Sequence, residues 1–167
     1  MHFVTGGAFN GKRAWVRERY PGALWISAYE GDSLDRFRPE ECRRFAVVFE
    51  GLEAWVKEIL AEKGADETRS FFRGLFGRWR AWEQEDNRRT VVVIGTDILK
   101  GIVPVERELR NWRDLTGWVY QDLAGMCRRI DVIWYGISQT IKGEWENENL
   151  HADRRQREDE HYRRKSR

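Results

Sequence analysis

The chain is poor in the residues that hold small secreted proteins and metal sites together. Of its 167 residues only two are cysteine and three are histidine. Cys42 and Cys127 stand too far apart for metal-ligand spacing and are too few for a disulfide framework, so a reducing compartment is expected. Long apolar runs are absent as well: none approaches the roughly 20 residues that span a bilayer. The first residues show no basic segment followed by an apolar stretch and a cleavage site, so no secretory leader is expected and a cytoplasmic location is. An excess of one charge sign is also missing. Charged residues make up 35% of the chain but cancel to +2, which gives no general case for nucleic-acid binding. What is present is a hydrophobic share of 41% with nine tryptophans, enough for one core in one domain.

Apolar runs of strand length alternate with segments of helical spacing. His2 to Thr5 runs straight into Gly6-Gly7, and a helical pattern follows Gly11 and stops near Pro21-Gly22. Ala23 to Ala28 and Phe45 to Phe49 read as further strands, separated by a polar stretch from Tyr29 to Glu41. Leu52, Trp55, Val56, Ile59 and Leu60 recur at helical spacing up to Gly64, and Asp66 to Glu85 carries a stripe of Phe71, Phe72, Leu75, Phe76, Trp79 and Trp82. Thr90 to Ile94 is a β-branched run suited to a central parallel strand covered on both faces. A long helix over Val105 to Arg128, a strand over Asp131 to Tyr135 and a return segment over Ser138 to Lys142 after Gly136 complete the pattern. Such alternation predicts an α/β fold with a mainly parallel sheet and flanking helices. The domain is expected over residues 1–143. Residues 144–167 are dominated by charges of mixed sign and read as a solvated helix or frayed tail.

One motif carries chemistry. Gly6, Gly7, Ala8, Phe9, Asn10, Gly11 and Lys12 fit G-x-x-x-x-G-K between a short apolar strand and a helix. This is the pattern of a P-loop: its glycines let backbone N–H groups turn inward around phosphate oxygens, the helix adds its N-terminal dipole, and Lys12 reaches the β- and γ-phosphates. The next position normally holds a Ser or Thr whose hydroxyl ligates Mg²⁺; here it is Arg13. A guanidinium cannot ligate a cation, and is left either to lend charge to phosphate or to face solvent. For the carboxylate that such proteins set at the end of a neighbouring strand to hold Mg²⁺, Glu50 is the first candidate and Asp97 the second. Lys12, Glu50 and Asp97 are the candidate catalytic residues. ATP or GTP is the expected substrate, the base left open.

The second half sharpens the reading. Gly101-Ile102-Val103-Pro104 follows the Thr90 strand, and Arg113, Asp114, Gly117, Gln121, Leu123 and Ala124 keep an R-D-x-x-G-x-x-x-Q-x-L-A pattern. With Val4 to Lys12 at the other end, the chain resembles the adenosylcobinamide kinase / adenosylcobinamide-phosphate guanylyltransferase family, with Glu50 at that family's strand-end glutamate. The resemblance implies a RecA-like P-loop NTPase fold of three layers and a homotrimer. It implies phosphorylation of adenosylcobinamide, a corrinoid of cobalamin biosynthesis, followed by guanylyl transfer through a histidine after the second strand. In this chain Tyr29 to Glu41 holds no histidine; His2, His151 and His161 lie elsewhere. Two functions therefore stand beside each other: a pared-down adenosylcobinamide kinase, and a non-catalytic relative that binds a nucleotide or corrinoid and partners an active enzyme. A P-loop kinase for another metabolite is a third. The aromatic stripe is read as packing rather than a platform for a flat corrin.

Overall fold

A computed structural model describes residues 1–101 and 103–143. The expected tail, residues 144–167, with His151 and His161, lies outside the described residues. Six strands form one sheet: β1 (His2–Gly6), β2 (Leu24–Ser27), β3 (Ala46–Glu50), β4 (Thr90–Thr96), β5 (Arg129–Trp134) and β6 (Ile137–Lys142). Four helices join them: α1 (Lys12–Arg19), α2 (Leu52–Lys63), α3 (Ala65–Gln84) and α4 (Arg107–Met126). The strand order is β2-β3-β4-β1-β5-β6, parallel throughout except for the antiparallel β5–β6 pair. This is the RecA-like order of a P-loop NTPase: β4 stands between the loop-bearing β1 and the Glu50-bearing β3. The polar stretch after β2 forms two short 3₁₀ turns, Ala28–Glu30 and Leu34–Arg36.

Strand alternation divides the core in two. Phe3, Val47, Phe49, Val91 and Val93 face α2, α3 and α4, while Val4, Val48, Val92, Ile94 and Ile133 face the side covered by α1. The aromatic stripe of α3 is core: Phe72, Phe76, Trp79 and Trp82 are buried, and the Trp79 ring stacks on Phe49 at 3.7 Å between centroids. Its wide rings fill the space over the larger, three-helix face, which settles the stripe as packing.

The α1 face hides a charged network at the start of β1. The two ring nitrogens of His2 reach Tyr20 Oη and Asp131 Oδ2, each at 2.6 Å, and Arg129 Nε donates to the same Asp131 oxygen at 2.6 Å. Burial lowers the pKa of His2; the bond to Asp131 opposes this but does not win, and Arg129 and Arg19 press in the same direction as burial. Arg129 has already claimed the carboxylate, so a second cation gains little there. A histidine whose folded pKa lies below its unfolded value of 6.5 contributes stability above pH 6.5 and loses it as pH falls toward the folded pKa. Urea midpoints are therefore expected to drop from pH 7.5 to pH 5.5, and His2→Gln is expected to flatten that drop.

At the other end of the sheet, β5 and β6 meet in a two-residue turn. Tyr135 at φ 49° and Gly136 at φ 81° give it the left-handed pair that matches strand twist. Tyr135 N donates to Asn10 Oδ1 at 3.3 Å and Gly136 N to Asn10 O at 2.9 Å, which ties this hairpin to the glycine-rich loop.

Candidate functional site

The loop between β1 and α1 lies at the carboxyl ends of the parallel strands, where open α/β sheets take their ligands. Its glycines are there for space. A Cβ on Gly6 would stand 2.3 Å from the carbonyl oxygen of Ile133, and Gly11 holds φ 87° as it leads into α1. The Phe9 side chain is fully exposed at the tip, on a left-handed backbone of φ 60°. Beside the loop opens a cleft of about 960 Å³, lined by Ala8 to Ala14 and by side chains from β3, β4, α2 and α4.

Lys12 is buried, and its Nζ turns back to donate to the carbonyls of Gly6 at 3.1 Å and Gly7 at 2.7 Å. That posture holds the ammonium inside the curl of the loop. Burial lowers its pKa, and the carboxylates of Glu53, Glu50 and Asp97 act against that, in descending order. The buried amine thus keeps its charge company from three acids, Glu53 foremost.

Glu50 ends β3 as expected and lines the cleft. Its Oε2 accepts from Ser27 Oγ at 2.9 Å and from Trp25 Nε1 at 3.0 Å, and Arg13 Nε approaches it at 3.6 Å. Asp97 follows β4, with its N–H bonded to the Gly6 carbonyl at 2.9 Å. Its carboxylate turns to its own loop, accepting from Leu99 N at 3.0 Å and facing Lys100 Nζ at 3.7 Å. So the structure gathers the loop, Lys12, Arg13 and Glu50 around the cleft, while the Asp97 side chain is committed to the 97–100 turn.

The Arg13 side chain is partly exposed but engaged. Its guanidinium donates to Glu30, which together with Glu50 raises its pKa, and it sits 5.7 Å from the centroid of the Trp25 ring. The residues present do not fit the magnesium ion expected at Glu50 and Asp97. The hydroxyl ligand is replaced by a cation, one of the two oxygens of Glu50, Oε2, already has two donors and that cation beside it, and Asp97 serves its own turn.

Glu53 is the site residue that sequence reasoning missed. It lies in the first turn of α2, is buried, and lines the cleft opposite Lys12. Its carboxylate accepts from Tyr29 Oη, from Thr96 N at 2.9 Å and from Tyr120 Oη at 3.1 Å. Burial, reinforced by this carboxylate, pushes both phenols above their usual range, so they stay donors. An acid in a first helical turn reads in sequence as a complement to the helix dipole. The one available signal was Gly51, which starts α2 at φ 88° directly after Glu50 and so brings the next acid back to the same cleft. Alanine at position 53 leaves the Thr96 N–H and the buried Tyr120 hydroxyl without this acceptor; Glu53→Ala is expected to cost about 1–3 kcal/mol, read from the urea midpoint.

A family model for cobinamide kinase / cobinamide phosphate guanyltransferase matches residues 17–141. The chain belongs to that family. The matched span takes in Glu50, Glu53, Asp97 and the Gly101–Pro104 segment, and begins just after the loop, whose reading rests on its own residues and geometry. A search of curated proteins found no match. The family's enzymes are kinases and nucleotidyltransferases that use nucleoside triphosphates. Among the described residues no helix is long and apolar enough to cross a membrane.

Proposed function

We propose that the chain is an adenosylcobinamide kinase, binding a nucleoside triphosphate on residues 6–13 and passing its γ-phosphoryl group to the corrinoid's alcohol. The observation that carries this reading is Lys12: an ammonium buried within the glycine loop, in the wall of a cleft of about 960 Å³. In the transfer, the alcohol oxygen forms a bond to the γ-phosphorus as the bond from that phosphorus to the β-bridging oxygen breaks. The nucleoside diphosphate leaves, and the alcohol proton passes to a base or solvent. Phosphoryl transfer asks a protein mainly for positioning and positive charge, which the loop N–H groups and Lys12 supply here.

Guanylyl transfer through a histidine is left out of this proposal. Among the described residues the one histidine is His2, buried at the amino end of β1 and bonded to Tyr20 and Asp131. The loop stands at the opposite end of that strand. A nucleophile needs fixed reach to the α-phosphorus, and His2 has none. The homotrimer implied by the resemblance, and the cytoplasmic setting expected from the sequence, are part of the same proposal.

The pairing of Arg13 with Glu50 supports a second reading, a nucleotide-binding relative that does not turn over. Thermal shift separates the first step: ATP or GTP is expected to raise the melting temperature, by an amount set by RT ln(1 + [L]/Kd). No rise with either nucleotide at millimolar excess would remove both readings, whereas a rise without transfer to adenosylcobinamide would leave the second.

A further inference from the structure

We propose that the Arg13 guanidinium takes the place of the protein-held divalent cation, so that the chain grips the phosphates of a nucleoside triphosphate without a metal ion bound to its own side chains. The inference rests on the nucleotide-binding reading above and adds a property to it.

The position is the first argument. Arg13 follows Lys12 directly, where a hydroxyl would hold the cation between the phosphates and the strand-end acid. Its side chain lies between that loop and that acid: Nε is 3.6 Å from Glu50 Oε2, the far end of the fork donates to Glu30, and the side chain lines the cleft. A positive charge is thus already seated at the junction a divalent ion would occupy.

The second argument is the acid's own bonding. A carboxylate oxygen has about two lone pairs to offer. Oε2 of Glu50 gives them to Ser27 Oγ and Trp25 Nε1, both of which hold the oxygen toward β2. With Oε2 so engaged and the carboxylate held toward β2, Glu50 has only its other oxygen to offer a small, strongly hydrated ion that demands octahedral geometry.

The third is charge. One turn along α1, Arg17 also lines the cleft, and its guanidinium lies 5.1 Å from the same Trp25 ring that Arg13 approaches. Arg13 and Arg17 together bring two positive charges to the cleft, with Glu30 and Glu50 set against that of Arg13. A guanidinium also offers a planar fork that meets phosphate oxygens two at a time. Trp25 keeps both forks at the mouth of the cleft.

The test is equilibrium binding of a fluorescent nucleoside triphosphate to the purified full chain, in MgCl₂ and in EDTA. Wild type is expected to bind with dissociation constants within about threefold of each other in the two buffers. Arg13→Thr is expected to lose at least about tenfold in EDTA, the loss of one charge-assisted contact, and to regain most of it in MgCl₂. Arg13→Lys, which keeps the charge without the fork, should fall between them and serves if the threonine variant is unstable. Wild-type binding that weakens more than about tenfold in EDTA would overturn the inference while leaving the nucleotide site intact, as would an Arg13→Thr variant that binds like wild type in EDTA. Absence of wild-type binding in both buffers would overturn this inference together with the function it rests on.

Discussion

Lys12→Ala is expected to lower phosphoryl transfer by roughly 100- to 1,000-fold, the cost of removing one preorganised donor from a developing negative charge. No neighbouring group replaces it within the loop, because the ammonium is the buried cation bonded to the Gly6 and Gly7 carbonyls. Arg13 and Arg17 line the cleft beside Trp25, and the Arg13 guanidinium is engaged with Glu30 and Glu50. Stability should fall by no more than about 2 kcal/mol. The two carbonyl bonds lost are net contributions of about 1 kcal/mol each, and the Gly6 carbonyl keeps its bond from Asp97 N. Lys12→Arg should not rescue transfer, since a planar fork is too broad for the space inside the glycine curl. Initial rates with labelled triphosphate, alongside melting curves, check both halves. A variant that melts like wild type but keeps more than a tenth of its rate would contradict the role assigned to Lys12.

Asp131→Ala is expected to be the most damaging change among the polar residues of the His2 network. The carboxylate is fully buried on β5 and collects His2, Arg129 and Thr140. Burial alone would raise its pKa; the bonds from these three residues outweigh that and hold it well below the usual carboxylate range. Removing it strands the Arg129 guanidinium and the His2 ring beside each other. Breaking a buried pair from one side costs about 3–5 kcal/mol, and Arg129 is partly exposed, so the lower figure applies. At 2–4 °C per kcal/mol for a chain of this size, the melting temperature should fall by roughly 6–12 °C. The sign with pH follows from the depressed value: this contribution is present above the unfolded pKa near 3.8 and is lost as pH falls through the folded one. The variant should therefore lose its deficit relative to wild type in strong acid. A melting temperature within about 2 °C of wild type at pH 7 would show that the network contributes far less than its geometry implies.

The strands were legible because each is short, β-branched or apolar, and closed by turn residues. Thr90 to Ile94 proved to be the central strand next to β1, and Ser138 to Lys142 did pair back after Gly136. Helix ends fell within two residues of the pattern, since Gly64 and the Pro21-Gly22 pair mark them chemically. The glycine loop was legible for the same reason: its residues are adjacent in sequence and each has a backbone task.

What stayed hidden was long-range. Glu53 acquires its meaning from Tyr29, Thr96 and Tyr120, which lie 24, 43 and 67 positions away, and no local pattern announces such a convergence. Asp131 looked like an ordinary strand position, yet its partner His2 is 129 residues distant. Arg13 was visible as a missing hydroxyl, but its engagement with Glu30 and Glu50 depends on where β2 and β3 bring those acids. Sequence reveals which chemistry is absent at a position more readily than what the replacement touches.

The most direct test of the central claim is a paired-label experiment on the purified full chain with adenosylcobinamide, using triphosphate labelled at the γ- or the α-phosphorus. Label from the γ position is expected to appear on the corrinoid, and label from the α position on neither protein nor corrinoid. Transfer of α label to the chain would restore the guanylyl step and require a nucleophile other than His2. No transfer of γ label, from ATP or from GTP, would contradict the assignment of a kinase.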